Sequence, residues 1–296
     1  MMDDFMENKM GLHIGLCAPA TAIDHELGAS LEAIVKRDYP LLHLNIHPQC
    51  YANHGHFAGD DAARRDAFVS MANDPNIDII WFAKGGYGSC RIAEEAAPLL
   101  TNAARQKIYI GYSDIGNMLS MLAKNKIGFP VHGPMPIDLS RVGGEAAVRR
   151  VLDWLSGSAS IDAVLGRQFN EPLLPINLMT LSMLLGTNIM PDLSGHIVMV
   201  EDVGEYHYAI DRLFFHVIGN LKKMKAAGLM IGRFGAIPEN DRAFGMDIEQ
   251  MARYWCDKMD LPFLGHADMG HDVDNKIIPF AVALGDIERL IANKIS

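Results

Sequence analysis

Through the first half of the chain, short apolar runs alternate with longer segments of mixed character. "HIGLCAP" is a strand-like run that stops at Pro19, "LLHLNI" is a second and "IDIIWFA" a third. Between and after them, "HELGASLEAIVKRD", "DDAARRDAFVSMAND" and "SCRIAEEAAPLL" read as helices. This alternation predicts an α/β fold whose mostly parallel sheet is covered by helices on both faces. In such sheets, sites lie beyond the carboxyl ends of the strands. Two segments fall on that edge, "KGGYG" after "IIWFA" and "GYSD" after "IYI".

The stretch "KIYIGYSDIGNMLSML" places Ile108, Tyr109 and Ile110 in a strand. Ile115, Met118, Leu119 and Leu122 then recur at helical spacing. Ser113 stands at the turn between them. A serine there either caps the helix, its oxygen accepting a backbone N–H, or is a nucleophile held up for attack. Local pattern alone leaves both readings open.

The alternation loosens after "VLDWLSGSAS", where Gly157, Ser158 and Ser160 suggest a linker. Beyond it, "INLMTLSMLLG", "AIDRLFFHVIGNLKKM" and "DIEQMARYWCDKM" read as helices, and "HIVMVE", "GLMIGRF" and "IIPFAVAL" as strands. The expected organisation is an N-terminal α/β domain over 1–155, a linker over 156–171 and a smaller α/β domain over 172–296. Internal repeats and low-complexity stretches are absent from the sequence.

At 296 residues, with 49% hydrophobic and 21% charged residues, the chain has the balance of an ordinary globular protein. A net charge of −10 argues against a nucleic-acid surface, which needs a basic stripe. The N-terminal "MMDDFMENKMG" lacks the layout of a signal peptide, and no run approaches the roughly 18 apolar residues of a membrane span. Cys17, Cys50, Cys90 and Cys256 are scattered without CxxC spacing, as expected of reduced thiols in a cytoplasmic protein.

Three positions suit a nucleophilic unit: Ser113 at its turn, Glu201 at the end of "HIVMVE" and His271 in "MGHDVDNKIIP". A serine hydroxyl needs an imidazole to take its proton, and the imidazole needs a carboxylate to fix its tautomer. Each also has an ordinary reading, since a strand-end glutamate is commonly a salt-bridge residue and a loop histidine commonly faces solvent. The paired glycines of "AKGGYGSCRI" suit a tight turn, and equally bring backbone N–H groups close to a ligand. A metal-based rival draws on His47, Cys50, His54 and His56, or on His266, Asp268, His271 and Asp272. Neither cluster has HExxH or paired CxxC spacing, and no metal or other cofactor is expected.

Several segments together resemble the LD-carboxypeptidases and the related microcin-immunity serine peptidases. These are "HFAGDDAARRDAF", "IIWFAKGGYGSCRI", "IYIGYSDIGNML", "VHGPM", "LLGTNIMPDLSGHIVMVEDVGEYHYAIDRL", "LMIGRF" and "GHDVDNKIIP", in family order from about Pro19 to Pro279. The resemblance implies a flavodoxin-like N-terminal domain, of the class I glutamine amidotransferase-like kind, and a swivelling β/α C-terminal domain. It implies a Ser–Glu–His triad of Ser113, Glu201 and His271, with the Gly86 and Asp114 N–H groups as oxyanion hole. It also implies a homodimer acting on a small peptide. The expected reaction is release of terminal D-Ala from murein tetrapeptide during cell-wall recycling. The alternatives are cleavage of an aminoacyl- or peptidyl-nucleotide antibiotic adduct and, from another class, a catalytically silent peptide-binding module. A carboxypeptidase must hold a terminal carboxylate, and Arg91, after the glycine turn, is the candidate. Lys84 where the family usually has Arg, Pro175-Ile176-Asn177 for Gly-Gly-Asn, and Ala281 for Gly depart from the pattern.

Overall fold

The computed structural model describes residues 11–159 and 169–282, with positions 285, 287, 289 and 291 beyond them. The acidic N-terminal ten residues and most of the expected linker lie outside the described residues.

The first half builds β1 (Leu12–Cys17), α1 (His25–Asp38), β2 (Leu42–Ile46), α2 (Asp61–Asn73), β3 (Ile79–Phe82) and α3 (Cys90–Ala96). It continues with β4 (Ile108–Gly111), α4 (Gly116–Lys124), β5 (Phe129–His132) and α5 (Gly144–Leu155). Short-range chemistry sets several boundaries. Asp24 accepts from the Leu27 N–H at 2.7 Å and Asp60 from the Ala63 N–H at 2.8 Å, so each carboxylate caps the helix that follows. Helix α3 is shorter than its apolar spacing predicts, because Pro98 follows two residues beyond its end. Every residue of β3 and β4 is buried, as fits central parallel strands covered on both faces.

The second half contributes β6 (Leu173–Asn177), α6 (Leu178–Leu184), β7 (Ile197–Val203), α7 (His207–Lys223), β8 (Gly228–Gly235), α8 (Ile248–Met259), β9 (Phe263–His266) and β10 (Ile278–Pro279). Two sheets result. One has the order β10-β5-β4-β3-β1-β2, parallel except for β10; the other is parallel, in the order β6-β7-β8-β9. One apolar cluster runs from Phe82, Tyr109 and Met118 beneath the first sheet to Leu181, Val198 and Phe214 beneath the second. Burial of this continuous core, at roughly 25 cal/mol per Å² of apolar surface, joins the two sheets.

Three features depart from the expected elements. "LLPIN" is a strand, although Pro175 lacks an N–H; β6 is the edge of its sheet, where that loss is tolerated. The short β9 was masked by Gly265 within "FLGH". Of "IIPFAVAL" only Ile278–Pro279 is strand, and it joins the first sheet antiparallel to β5, with Ile278 opposite His132 and Pro279 opposite Val131. Pro279 again sits on an edge. No helix among the described residues is long and apolar enough to cross a membrane.

Candidate active site

Strand β4 ends at Gly111, and Tyr112 continues extended before the chain reverses at Ser113, whose φ is +62°. A non-glycine residue in the left-handed region is strained by about 1–3 kcal/mol, and such strain clusters at functional sites. A single 3₁₀ turn, Ser113–Ile115, then leads into α4. The Ser113 side chain caps nothing. Its Oγ lies 2.9 Å from His271 Nε2, and His271 Nδ1 lies 2.7 Å from Glu201 Oε2. These three residues, far apart in the chain, therefore form a continuous hydrogen-bonded relay.

Each member has its own support. Glu201 lies in β7 where the pairing with β8 shifts register between Val200 and Asp202, the kind of irregularity that re-aims a side chain. It is fully buried, and its Oε1 has no hydrogen-bond partner among the described residues. Its neighbour Asp202 accepts from Asn177 Nδ2 at 2.9 Å and from the Met179 and Val203 N–H groups at 3.0 and 2.8 Å, so it ties β7 to α6. Burial pushes the Asp202 carboxyl up to about 6.

The loop carrying His271 is held from both halves of the chain, by Arg233 on Asp272 and by residues of the first half. Arg141 donates to the His271 carbonyl, and Arg150 Nη1 donates to the Val273 and Asn275 carbonyls at 3.2 and 2.7 Å. Asn275 Oδ1 accepts from the Gly270 and Lys276 N–H groups at 3.3 and 3.1 Å and meets His132 Nε2 at 3.0 Å. Burial lowers the pKa of this imidazole. The Tyr112 ring stands 4.9 Å from His271, and its hydroxyl donates to Asp138 Oδ1 at 2.8 Å. Sequence reasoning assigned no role to His132, Arg141, Arg150 or Asn275, although "VHGPM" and "GHDVDN" contain two of them.

The glycine turn meets the serine turn at close range. A Cβ on Gly85 would stand 3.2 Å from Ser113 Oγ and 3.5 Å from the Asp114 nitrogen. That position marks a small space bounded by the hydroxyl and a backbone N–H. Neither the Gly86 nor the Asp114 N–H has a hydrogen-bond partner among the described residues. The Asp114 side chain and carbonyl are occupied: Oδ2 accepts from the Ser89 N–H at 2.9 Å, and the carbonyl accepts from Ser89 Oγ at 2.6 Å. Burial raises the pKa of this carboxyl.

Arg91 is apart from the relay and bound to Asp61, donating from Nε at 2.9 Å and Nη2 at 2.7 Å to Oδ2. The residues of the metal-based rival are divided among other partners. His266 meets Glu249 at 2.9 Å, Asp268 and Asp272 pair with Arg233, and His47 Nδ1 accepts from the Gln49 N–H at 3.1 Å. Among the described residues, no group of three or more His, Cys, Asp or Glu side chains is arranged to hold a metal ion.

Comparison with known proteins agrees with this architecture. Residues 14–133 match the LD-carboxypeptidase N-terminal domain, and residues 172–284 match the LD-carboxypeptidase C-terminal domain. The murein tetrapeptide carboxypeptidase of Pseudomonas aeruginosa is 25% identical over 289 residues, covering 90% of each chain. The crystal structure of muramoyltetrapeptide carboxypeptidase from Oxalobacter formigenes superimposes with a TM-score of 0.73 at 22% identity, over 91% of this chain and 92% of that one. The microcin C7 self immunity protein MccF has the same fold, with a TM-score of 0.71 at 18% identity over 93% of this chain and 97% of that one. With both domains matched in order along most of its length, the chain belongs to the LD-carboxypeptidase family.

Proposed function

We propose that this protein is a serine carboxypeptidase that releases terminal D-Ala from murein tetrapeptide. The observation that carries the reading is the relay from Ser113 Oγ to His271 Nε2, 2.9 Å, and from His271 Nδ1 to Glu201 Oε2, 2.7 Å. With Nδ1–H donated to the carboxylate, Nε2 is left to take the serine proton. Ser113 Oγ bonds to the carbonyl carbon as that proton moves to His271, and the Gly86 and Asp114 N–H groups hold the resulting oxyanion. Collapse breaks the C–N bond, and D-Ala leaves with the proton from His271. Water, deprotonated by the same imidazole, then hydrolyses the acyl-enzyme. Buried Glu201 stabilises the imidazolium formed in both halves.

In fold terms we read the first sheet as flavodoxin-like, supported by its parallel order β2-β1-β3-β4-β5. A cytoplasmic setting is supported by four free cysteines, three of them buried. The substrate assignment draws on the name of the Pseudomonas relative. A second reading, an aminoacyl- or peptidyl-nucleotide adduct, draws on Tyr206 and Tyr208, which stack at 5.4 Å at the start of α7 and are 40% and 51% exposed. Such a ring pair suits a nucleobase.

The deciding experiment incubates the protein with murein tetrapeptide and follows D-Ala by mass spectrometry. Stoichiometric release is expected. A folded protein that reacts with a serine-directed phosphonate yet releases no D-Ala would overturn the murein assignment in favour of the adduct. A second expectation concerns Gly85, whose φ is not in the left-handed region. Gly85→Ala should fold, but its methyl would enter the space beside Ser113 Oγ and the Asp114 nitrogen. We expect kcat to fall by about 10²–10³-fold, the magnitude of losing an oxyanion donor. Steady-state kinetics at unchanged melting temperature checks this.

A further inference from the structure

The oxyanion donor at Gly86 belongs to a peptide unit flanked by two glycines, and glycines offer little intrinsic resistance to rotation of the plane between them. If that plane turned over, the Gly85 carbonyl oxygen would replace the N–H, and an acceptor would face the developing negative charge. Something must therefore set the plane. The loop after β1 supplies it: Thr21 Oγ1 donates to the Gly85 carbonyl at 2.7 Å, and Thr21 is only 8% exposed. The peptide is trans, so the carbonyl held by Thr21 forces the Gly86 N–H to point away from it. Thr21 also packs tightly here. At Gly86, φ +99°, a Cβ would come within 2.8 Å of Thr21 Cγ2 and 3.0 Å of Oγ1.

We infer that Thr21 is a positioning residue for the oxyanion hole, acting through the Gly85–Gly86 peptide. It touches neither the acyl group nor the nucleophile. Its hydroxyl selects one orientation of the amide and, by donating to the carbonyl, polarises the unit so that the N–H at its other end is a stronger donor. The inference rests on the reading of Gly86 as an oxyanion donor and adds the residue that aims it. It also accounts for a hydroxyl at this buried place, where the carbonyl would otherwise lose its partner.

Thr21→Val keeps the shape and removes the donor, whereas Thr21→Ser keeps the donor and removes a methyl. With murein tetrapeptide, Thr21→Val should lower kcat by about 30-fold, with KM within about threefold. Thr21→Ser should recover to within about threefold of wild type. The rate at which a fluorophosphonate labels Ser113 should fall in parallel, and this readout does not depend on the identity of the natural substrate. Labelling of Thr21→Val at the wild-type rate would overturn the inference and leave the proposed function standing. A loss that Thr21→Ser fails to restore, accompanied by a lower melting temperature, would also overturn it, because the residue would then be structural. Wild-type protein that resists the phosphonate while Thr21→Val behaves identically would instead sink the nucleophile assignment itself, and this inference with it.

Discussion

Ser113→Ala is expected to lose about 10⁶-fold in kcat, a barrier increase of about 8 kcal/mol. On the proposed mechanism Oγ is the atom that forms the acyl-enzyme, so the residual rate should come from binding and the proposed oxyanion donors. The fold should be untouched. The hydroxyl's hydrogen bond to His271 is worth about 1 kcal/mol, and alanine is no more strained than serine at a φ of +62°. Two companions separate chemistry from folding. Ser113→Gly should be equally inert yet more stable, because glycine adopts the left-handed region without strain. The double variant Ser113→Ala with His271→Ala should be no slower than either single variant, because the two side chains act as one unit. Stopped-flow turnover with thermal melting tests all three. A folded Ser113→Ala protein within tenfold of wild type would remove the serine from the mechanism.

Glu201→Gln should cost about 10⁴-fold in kcat with KM within about threefold. The substitution preserves shape and removes the charge that, on the proposed mechanism, stabilises imidazolium. Its effect on stability should have the opposite sign. Glu201 is fully buried, and one of its carboxylate oxygens has no partner among the described residues. Removing charge from such a position lowers the desolvation cost of folding. The expected combination is thus a much slower enzyme that melts no earlier than wild type. A loss below tenfold would show that His271 is held in its tautomer and charged state by something other than this carboxylate. The loop contacts from Arg141, Arg150 and Asn275 would then be the place to look.

What could be read from sequence followed the range of the forces involved. Asp24 and Asp60 cap helices three residues away, so the starts of α1 and α2 were legible from local pattern. The Ser113 turn was legible as a turn but ambiguous as chemistry, since a cap and a nucleophile use the same residue type. Its partner His271 is 158 positions away, and no periodicity connects the two. Ordered motifs supplied that link, through resemblance rather than spacing. Contacts lacking a motif with an assigned role stayed hidden. Thr21 reaches Gly85 across 64 positions, and His132 reaches Asn275 across 143. The strand β10 was visible as an apolar run, but its sheet was not, because an edge proline is acceptable at either sheet. The position of Arg91 suggested a substrate role, and its pairing with Asp61, 30 positions away, was beyond the reach of local pattern.

The return of β10 to the first sheet bears on when during synthesis the protein becomes reactive. The ribosome delivers the Ser113 turn early, and the first sheet can assemble from β1 to β5 while the rest of the chain is still being made. Yet its β5 edge waits for Ile278–Pro279, and the loop brought in by that strand carries His271. Until then, on the proposed mechanism, the serine at its strained turn lacks the imidazole that would take its proton. On that mechanism, the order of elements along the chain would leave the nascent chain unreactive until both sheets are in place.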